Sequence, residues 1–313
     1  IFDRFNWLTK HNSKLTIPDE DDINDEIESL EKSLKTLYKY KDSRLTDVQK
    51  NTKKIAIFDY ENNLKNLKDF PYHDYPLNQI GGIHLNTIEF LSDMHPVRNI
   101  SEAEGFISRV NLIMEVYQGT LIDLEKQSEA GIFPPEFVYE RVIEQLDEFI
   151  NFTYEEHPLF TQFMKKVKDL DISSEEEIYF EEAIKNGIDE SVTPGFILLK
   201  NFMIKTQKNA NKNHGIWSQP DGDEYYKLRI RSYTTTDYSP EEIHQMGLGE
   251  VERISNRMKE ILNMLGYDKN KSVGALMNEL NESPDYLYAD TPDRKEIIVN
   301  DYTEMVNEAI SVM

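Results

Sequence analysis

The sequence predicts an all-α fold, a multi-helix array of long antiparallel helices joined by ordered loops. Three observations carry that prediction. Apolar residues recur at helical spacing along most of the 313 residues. Start signals of the Ser-x-x-Glu type stand before several of these stripes, where a hydroxyl and a reciprocal carboxylate satisfy backbone N–H groups that the first turn leaves free. No stretch reads as a sheet.

The elements follow in order. Residues 1–21 form a short helix or loose entry segment, with Phe2, Phe5 and Trp7 as anchors. From Asp22 to Tyr40, the residues Ile23, Ile27, Leu30, Leu34, Leu37 and Tyr38 share a helical face. A second helix spans Thr46 to Leu67, with Ile55, Ile57, Phe58, Tyr60 and Leu64 inward, and the pair makes an antiparallel hairpin. Residues 68–85 break the pattern. Their two prolines, aromatic rings and Gly81–Gly82 pair predict an ordered loop, and Tyr75, Asn78, Gln79 and His84 give it hydrogen-bonding groups. Two readings of it stand: a cleft-facing loop, or an aromatic-packed surface loop.

A capping box at Ser101 and Glu104 opens one helix running to about Ala130, which Gly131 ends. Pro134-Pro135 starts the next, through Ile150, and His157-Pro158 a shorter piece. The run SSEEE (173–177) opens a long helix with Pro194 inside it. An interior proline removes a hydrogen bond and clashes with the preceding turn, so a kink or break is expected near Thr193. Residues 207–224 read as a loop in which Trp217 is at least partly covered. Ser239, Pro240 and Glu242 then write a helix start. The stripe behind them is Ile243, Met246, Gly247, Val251, Ile254, Met258, Ile261, Leu262 and Leu265, and Gly266 supplies a left-handed end. Gly247 and Gly249 predict close helix packing. Ser272 caps a short helix through Leu280, 283–296 is a connector, and Asp293 to Met313 forms a final amphipathic helix. The whole chain, 1–313, reads as one helical region, with 1–100 as hairpin plus loop and 101–313 as the main body.

Composition sets limits on function. The net charge of −23 repels nucleic-acid backbones and anionic membrane surfaces. With no cysteine, disulfides, thiolate nucleophiles and Cys-ligated zinc are excluded. No apolar run approaches the roughly 20 residues of a membrane span.

The chemistry-bearing motifs are few. None of the seven histidines is followed by Glu, so a His-Glu-x-x-His zinc helix is absent. Glu241-x-x-His244 has the i, i+3 spacing of carboxylate di-iron bundles, but those need a second pair and none exists. There is no Gly-x-Ser-x-Gly elbow, phosphate-binding loop or dinucleotide fingerprint. No catalytic residue and no metal ligand is therefore assigned. What remains is the aromatic segment after residue 222. Its Tyr225, Tyr226 and Arg229 carry hydroxyls and a guanidinium fork suited to peptide backbones and carboxylates, with His244 beyond them. The competing reading packs Tyr225 and Leu228 inward and pairs the arginines with nearby acids.

The run DGDEYYKLRIRSYTTTDYSPEEIHQMGLGEVERI resembles the central signature of a bacterial family known as domain of unknown function eight-eight-five. GIFPPEFVYERVIEQLDEFI (131–150) and ESVTPGFILLKNF (190–202) are similar to its flanking segments. Full-length members resemble helical zinc-dependent peptidases with a metal motif in their C-terminal half. The resemblance implies half of a larger helical cleft protein, whose partners are its own C-terminal half and a peptide substrate. It also implies zinc in the full-length protein and a place in the bacterial envelope or periplasm. The chain stops before the metal motif would appear, and its last helix has no stop signal, so truncation is expected. On this reading the chain is the substrate-cleft-forming part of a peptidase and is silent alone. The alternative is a helical protein-interaction module without catalysis.

Overall fold

The computed structural model describes residues 13–19 and 21–312, and the Phe2, Phe5 and Trp7 anchors lie outside them. Among the described residues every regular element is helical, and the one β-contact is an isolated bridge between Pro135 and Asn211. The chain falls into two compact units, the first ending at Thr236 and the second running from Asp237 to Met313.

The first unit opens with the expected hairpin, α1 (Asp22–Lys39) and α2 (Asp47–Asp69). Thr46 and Gln49 cap α2 reciprocally. The pair is tied by charge and hydroxyl contacts, Lys68 to Glu31 at 2.6 Å and Tyr38 to Glu61 at 2.5 Å, more than by a sealed core. Ile55, expected inward, is 69% exposed, because Leu34 is the one fully buried apolar residue of this hairpin.

After the loop and a short α3 (Ile83–Glu89), the chain makes a π turn at Phe90–Met94. Below this turn is a buried polar network. His95 accepts from Arg109 Nη1 at Nδ1 (2.5 Å) and donates from Nε2 to the Glu102 carbonyl (3.1 Å), while Lys166 donates to the Ser92 and His95 carbonyls. Burial first, then the Arg109 charge, lowers the His95 pKa to about 4, so the imidazole is neutral.

The expected helix from 101 to 130 is two helices, α4 (Ile100–Asn111) and α5 (Ile113–Glu129). Asn99, not Ser101, caps the first by accepting the Glu102 N–H. The break falls where Ser191 intrudes: its hydroxyl donates to the Asn111 carbonyl and accepts the Met114 N–H. Helices α6 (Glu136–Asn151), α7 (Pro158–Lys168) and α8 (Ser174–Gly187) follow, α7 capped by His157 and α8 by Ser173 with Glu176. The anticipated distortion before Pro194 is a second π turn, Ile188–Val192, leading into α9 (Thr193–Thr206). The wider turn accommodates the proline ring and its missing N–H.

These helices enclose the core. Phe106 stacks on Phe163 at 4.5 Å and Phe149 on Phe196 at 5.1 Å, and Leu91, Val110, Leu146 and Leu199 are fully covered. Close packing of α9 on α5 requires Gly195, where a Cβ would stand 2.7 Å from Tyr117 Cδ2.

The aromatic segment after residue 222 is itself a helix, α10 (Gly222–Thr234), which closes the first unit against α2. Arg231 bonds Asn62 and lies 4.5 Å from the centre of the Phe58 ring.

The second unit holds α11 (Pro240–Met264), α12 (Val273–Glu282) and α13 (Arg294–Val312), with the Ser239–Glu242 and Ser272 caps and the left-handed Gly266 where the sequence places them. Its apolar stripe is another matter. Of the α11 stripe only Leu262 is buried; Val251, Ile254 and Leu265 are exposed, as are Tyr302, Met305 and Val306 of α13. A Cβ at Gly247 or Gly249 would meet nothing within 4 Å, so neither glycine serves close packing here.

Candidate functional site

The loop between α2 and α3 and the inner face of α10 form one cluster in the first unit. Phe70, His73 and Tyr225 meet ring to ring, with His73 4.8 Å from Tyr225 and 5.2 Å from Phe70. His73 Nε2 donates to the Pro220 carbonyl at 2.7 Å, which leaves Nδ1 as a bare, buried acceptor. The Tyr225 hydroxyl donates to Asp74 at 2.8 Å; burial and the carboxylate together push the phenol well above its ordinary range. Tyr75 accepts from Gln219 Nε2 at 2.8 Å, and Gln219 also brackets the Phe133 backbone from both ends of its amide. Gln127 holds the Tyr72 and Asp74 carbonyls, each at 2.7 Å. The aromatic-packed reading of the loop describes this cluster.

Three of the residues selected from the sequence serve the loop itself. Asn78 Oδ1 accepts the N–H groups of Ile80 and Gly81 and its amide donates to the Tyr75 carbonyl, an Asx turn. A Cβ at Gly82 would be 2.6 Å from the Asn78 carbonyl oxygen, so that turn admits only glycine. Gln79 offers its carbonyl to Gln145, whose other end accepts from His84 Nε2 at 3.0 Å. His84 has no exposed surface, and burial lowers its pKa despite the Gln145 bond.

The solvent side of α10 is different. Tyr226, Arg229 and Tyr233 recur at i, i+3 and i+7, one helix face. Tyr226 is 47% and Tyr233 78% exposed. The Arg229 guanidinium lies 5.9 Å from the Tyr225 ring centre and 5.1 Å from that of Tyr233, and donates to the Tyr233 hydroxyl at 3.1 Å. This helix is bracketed by two non-glycine residues in left-handed backbone, Asp221 (φ 51°) and Thr235 (φ 54°). For a β-branched residue that conformation is strained, and strain of this kind gathers at functional sites. The structure thus groups Tyr75, Tyr225, Tyr226 and Arg229 around α10. His244 lies on α11 in the second unit, exposed. His73, Asp74, Gln219 and Tyr233 were not selected from the sequence. The His-Asp pair inside PYHDYP, amid the loop's aromatic rings, was the available signal.

Among the described residues no group of three or more His, Asp or Glu side chains is placed to hold a metal ion. His84, His95 and His157 are buried within their own hydrogen-bonded settings. These residues do not fit a zinc centre. No described helix is long and apolar enough to cross a membrane.

An all-helical body in two units, with an aromatic and arginine-bearing helix face, defines a class of helical protein and not yet a chemistry. The comparisons with known proteins narrow it. A family model described as bacterial protein of unknown function, DUF885, matches residues 6–313, and the chain belongs to that family. It is similar in fold to a "putative lipoprotein" from Colwellia psychrerythraea, at 23% identity and a TM-score of 0.86, covering 96% of this chain and 52% of that one. A second, a "putative lipoprotein of unknown function" from Shewanella oneidensis, has 14% identity and a TM-score of 0.63, covering 98% and 56%. At these identities the likeness shows the fold. The chain spans about half the length of the solved relatives it matches. No curated protein matches it.

Proposed function

We propose that this chain is the substrate-cleft-forming helical half of a zinc-dependent peptidase of the DUF885 family, with peptide as substrate. The observation that supports this reading is the outer face of α10. Arg229 is held in place by two tyrosine rings and keeps a planar fork suited to a peptide carboxylate or carbonyl, while Tyr226 and Tyr233 add exposed hydroxyls. Tyr225, bonded to Asp74, and Gln219, bonded to Tyr75, fix the helix from behind. Zinc, with the polarised carbonyl and activated water it would supply, belongs to the remainder of the full-length protein. The chain's partners are that remainder and the peptide. The names of the two relatives support placing it in the bacterial cell envelope.

The test is Arg229→Gln in the full-length protein. An about tenfold fall in kcat/KM for peptides, carried by KM with kcat little changed, is the expected result of losing a group that binds substrate and transition state alike. An unchanged kcat/KM would remove α10 from the substrate site.

One observation favours a second reading, a helical interaction module without catalysis: among its described residues the second unit buries only Leu262 and Leu276 and leaves the apolar faces of α11 and α13 open. A full-length protein inert toward peptides but bound tightly to another protein through those faces would establish it.

A further inference from the structure

Residues 13–18 form neither helix nor strand and run across α4 and α5, held by contacts directed at the main chain. Ser108 Oγ donates to the Ser13 carbonyl at 2.9 Å and Arg109 Nε to the Lys14 carbonyl at 3.0 Å. At Gly119 the Pro18 carbonyl comes so close that a Cβ would stand 2.2 Å from its oxygen. Leu15 is half-buried against the core and Pro18 is half-buried too, whereas Ser13, Lys14, Thr16 and Ile17 face solvent. Beyond them Asp19 ends the segment by accepting the N–H groups of Asp21 and Asp22 at the start of α1.

Arg109 is fully buried yet aims a donor at a carbonyl that any residue would supply. Charged donors make the stronger hydrogen bonds to such acceptors. Gly119 leaves room for backbone where a side chain would fill it. We propose that residues 13–18 are a detachable strap bound in cis, and that the α4–α5 surface beneath is a groove that reads peptide backbone. The occupant that the groove fits is the strap itself, with Leu15 as the apolar residue at its third position. Release breaks the Ser108 and Arg109 bonds to these carbonyls and uncovers Leu15 and Pro18, a local opening and not a global one. This groove is separate from the α10 face, and it does not depend on the peptidase reading.

Trypsin reports on the strap directly, because the carbonyl it attacks after Lys14 is the one Arg109 holds. The 313-residue chain is compared with Leu15→Asp, which acts from the strap, and Gly119→Leu, which acts from the groove. The expected result is cleavage after Lys14 at least tenfold faster in both variants, with unchanged helical circular dichroism and unchanged cleavage elsewhere. Equal rates after Lys14 in the parent and Leu15→Asp chains would overturn the proposal. If Gly119→Leu fails to fold, Leu15→Asp decides alone. Loss of the whole fold in Leu15→Asp would also overturn it, since the strap would then be core and not a detachable ligand.

Discussion

His95 and His157 are both held neutral, each with a pKa lowered to about 4 and burial as the leading cause. A folded pKa below the unfolded value near 6.5 means the neutral form is the stabilised one. Its contribution is full above about pH 6.5 and is lost as the pH falls toward 4, about 3 kcal/mol for each residue and more than half of it gone by pH 5. Urea midpoints measured at pH 7.5 and pH 5 should therefore drop steeply with acid; equal midpoints would mean these imidazoles are accessible and titrate normally. Tyr225→Phe removes the donor to Asp74, and a loss of about 1–2 kcal/mol in urea unfolding is expected. At this scale the sequence was legible where chemistry is local. Tyr225 and Arg229 stood out by type and spacing. His73 and Asp74 did not, because their partners Pro220 and Tyr225 are about 150 residues away and no local pattern carries such a pairing.

Helix starts were readable where the capping atoms are neighbours in sequence: Ser173, Ser239 and Ser272 cap as their spacing predicts, whereas at Ser101 the cap is Asn99, two residues earlier. The break between α4 and α5 was not. It is written by Ser191, 80 residues from Asn111. The glycines make the same distinction testable. Gly195→Ala forces a methyl toward Tyr117 and should cost about 1–3 kcal/mol. Gly247→Ala adds a methyl to open space inside a helix and should gain about 0.5–1 kcal/mol. Chemical denaturation of both variants checks the contrast in sign. A destabilising Gly247→Ala in the isolated chain would show that something covers that face of α11.

Taken whole, the chain has a first unit with a sealed core and a second that leaves most of its apolar residues uncovered. The all-α class was legible throughout, since helical periodicity is a property of each segment. The exposure of the α11 stripe was not, since periodicity reports a face that wants cover without naming what covers it. The solved relative from Colwellia psychrerythraea is about twice this length; on the proposed reading, the further half of such a chain would cover this stripe and carry the metal. The most direct test of the central claim is zinc content and peptide hydrolysis, measured on the full-length family protein containing this sequence beside the 313-residue chain alone. The account predicts that the full-length protein binds zinc and cleaves peptides while the chain alone does neither. Hydrolysis by the chain alone, or a full-length protein that holds no zinc and cleaves nothing, would contradict it.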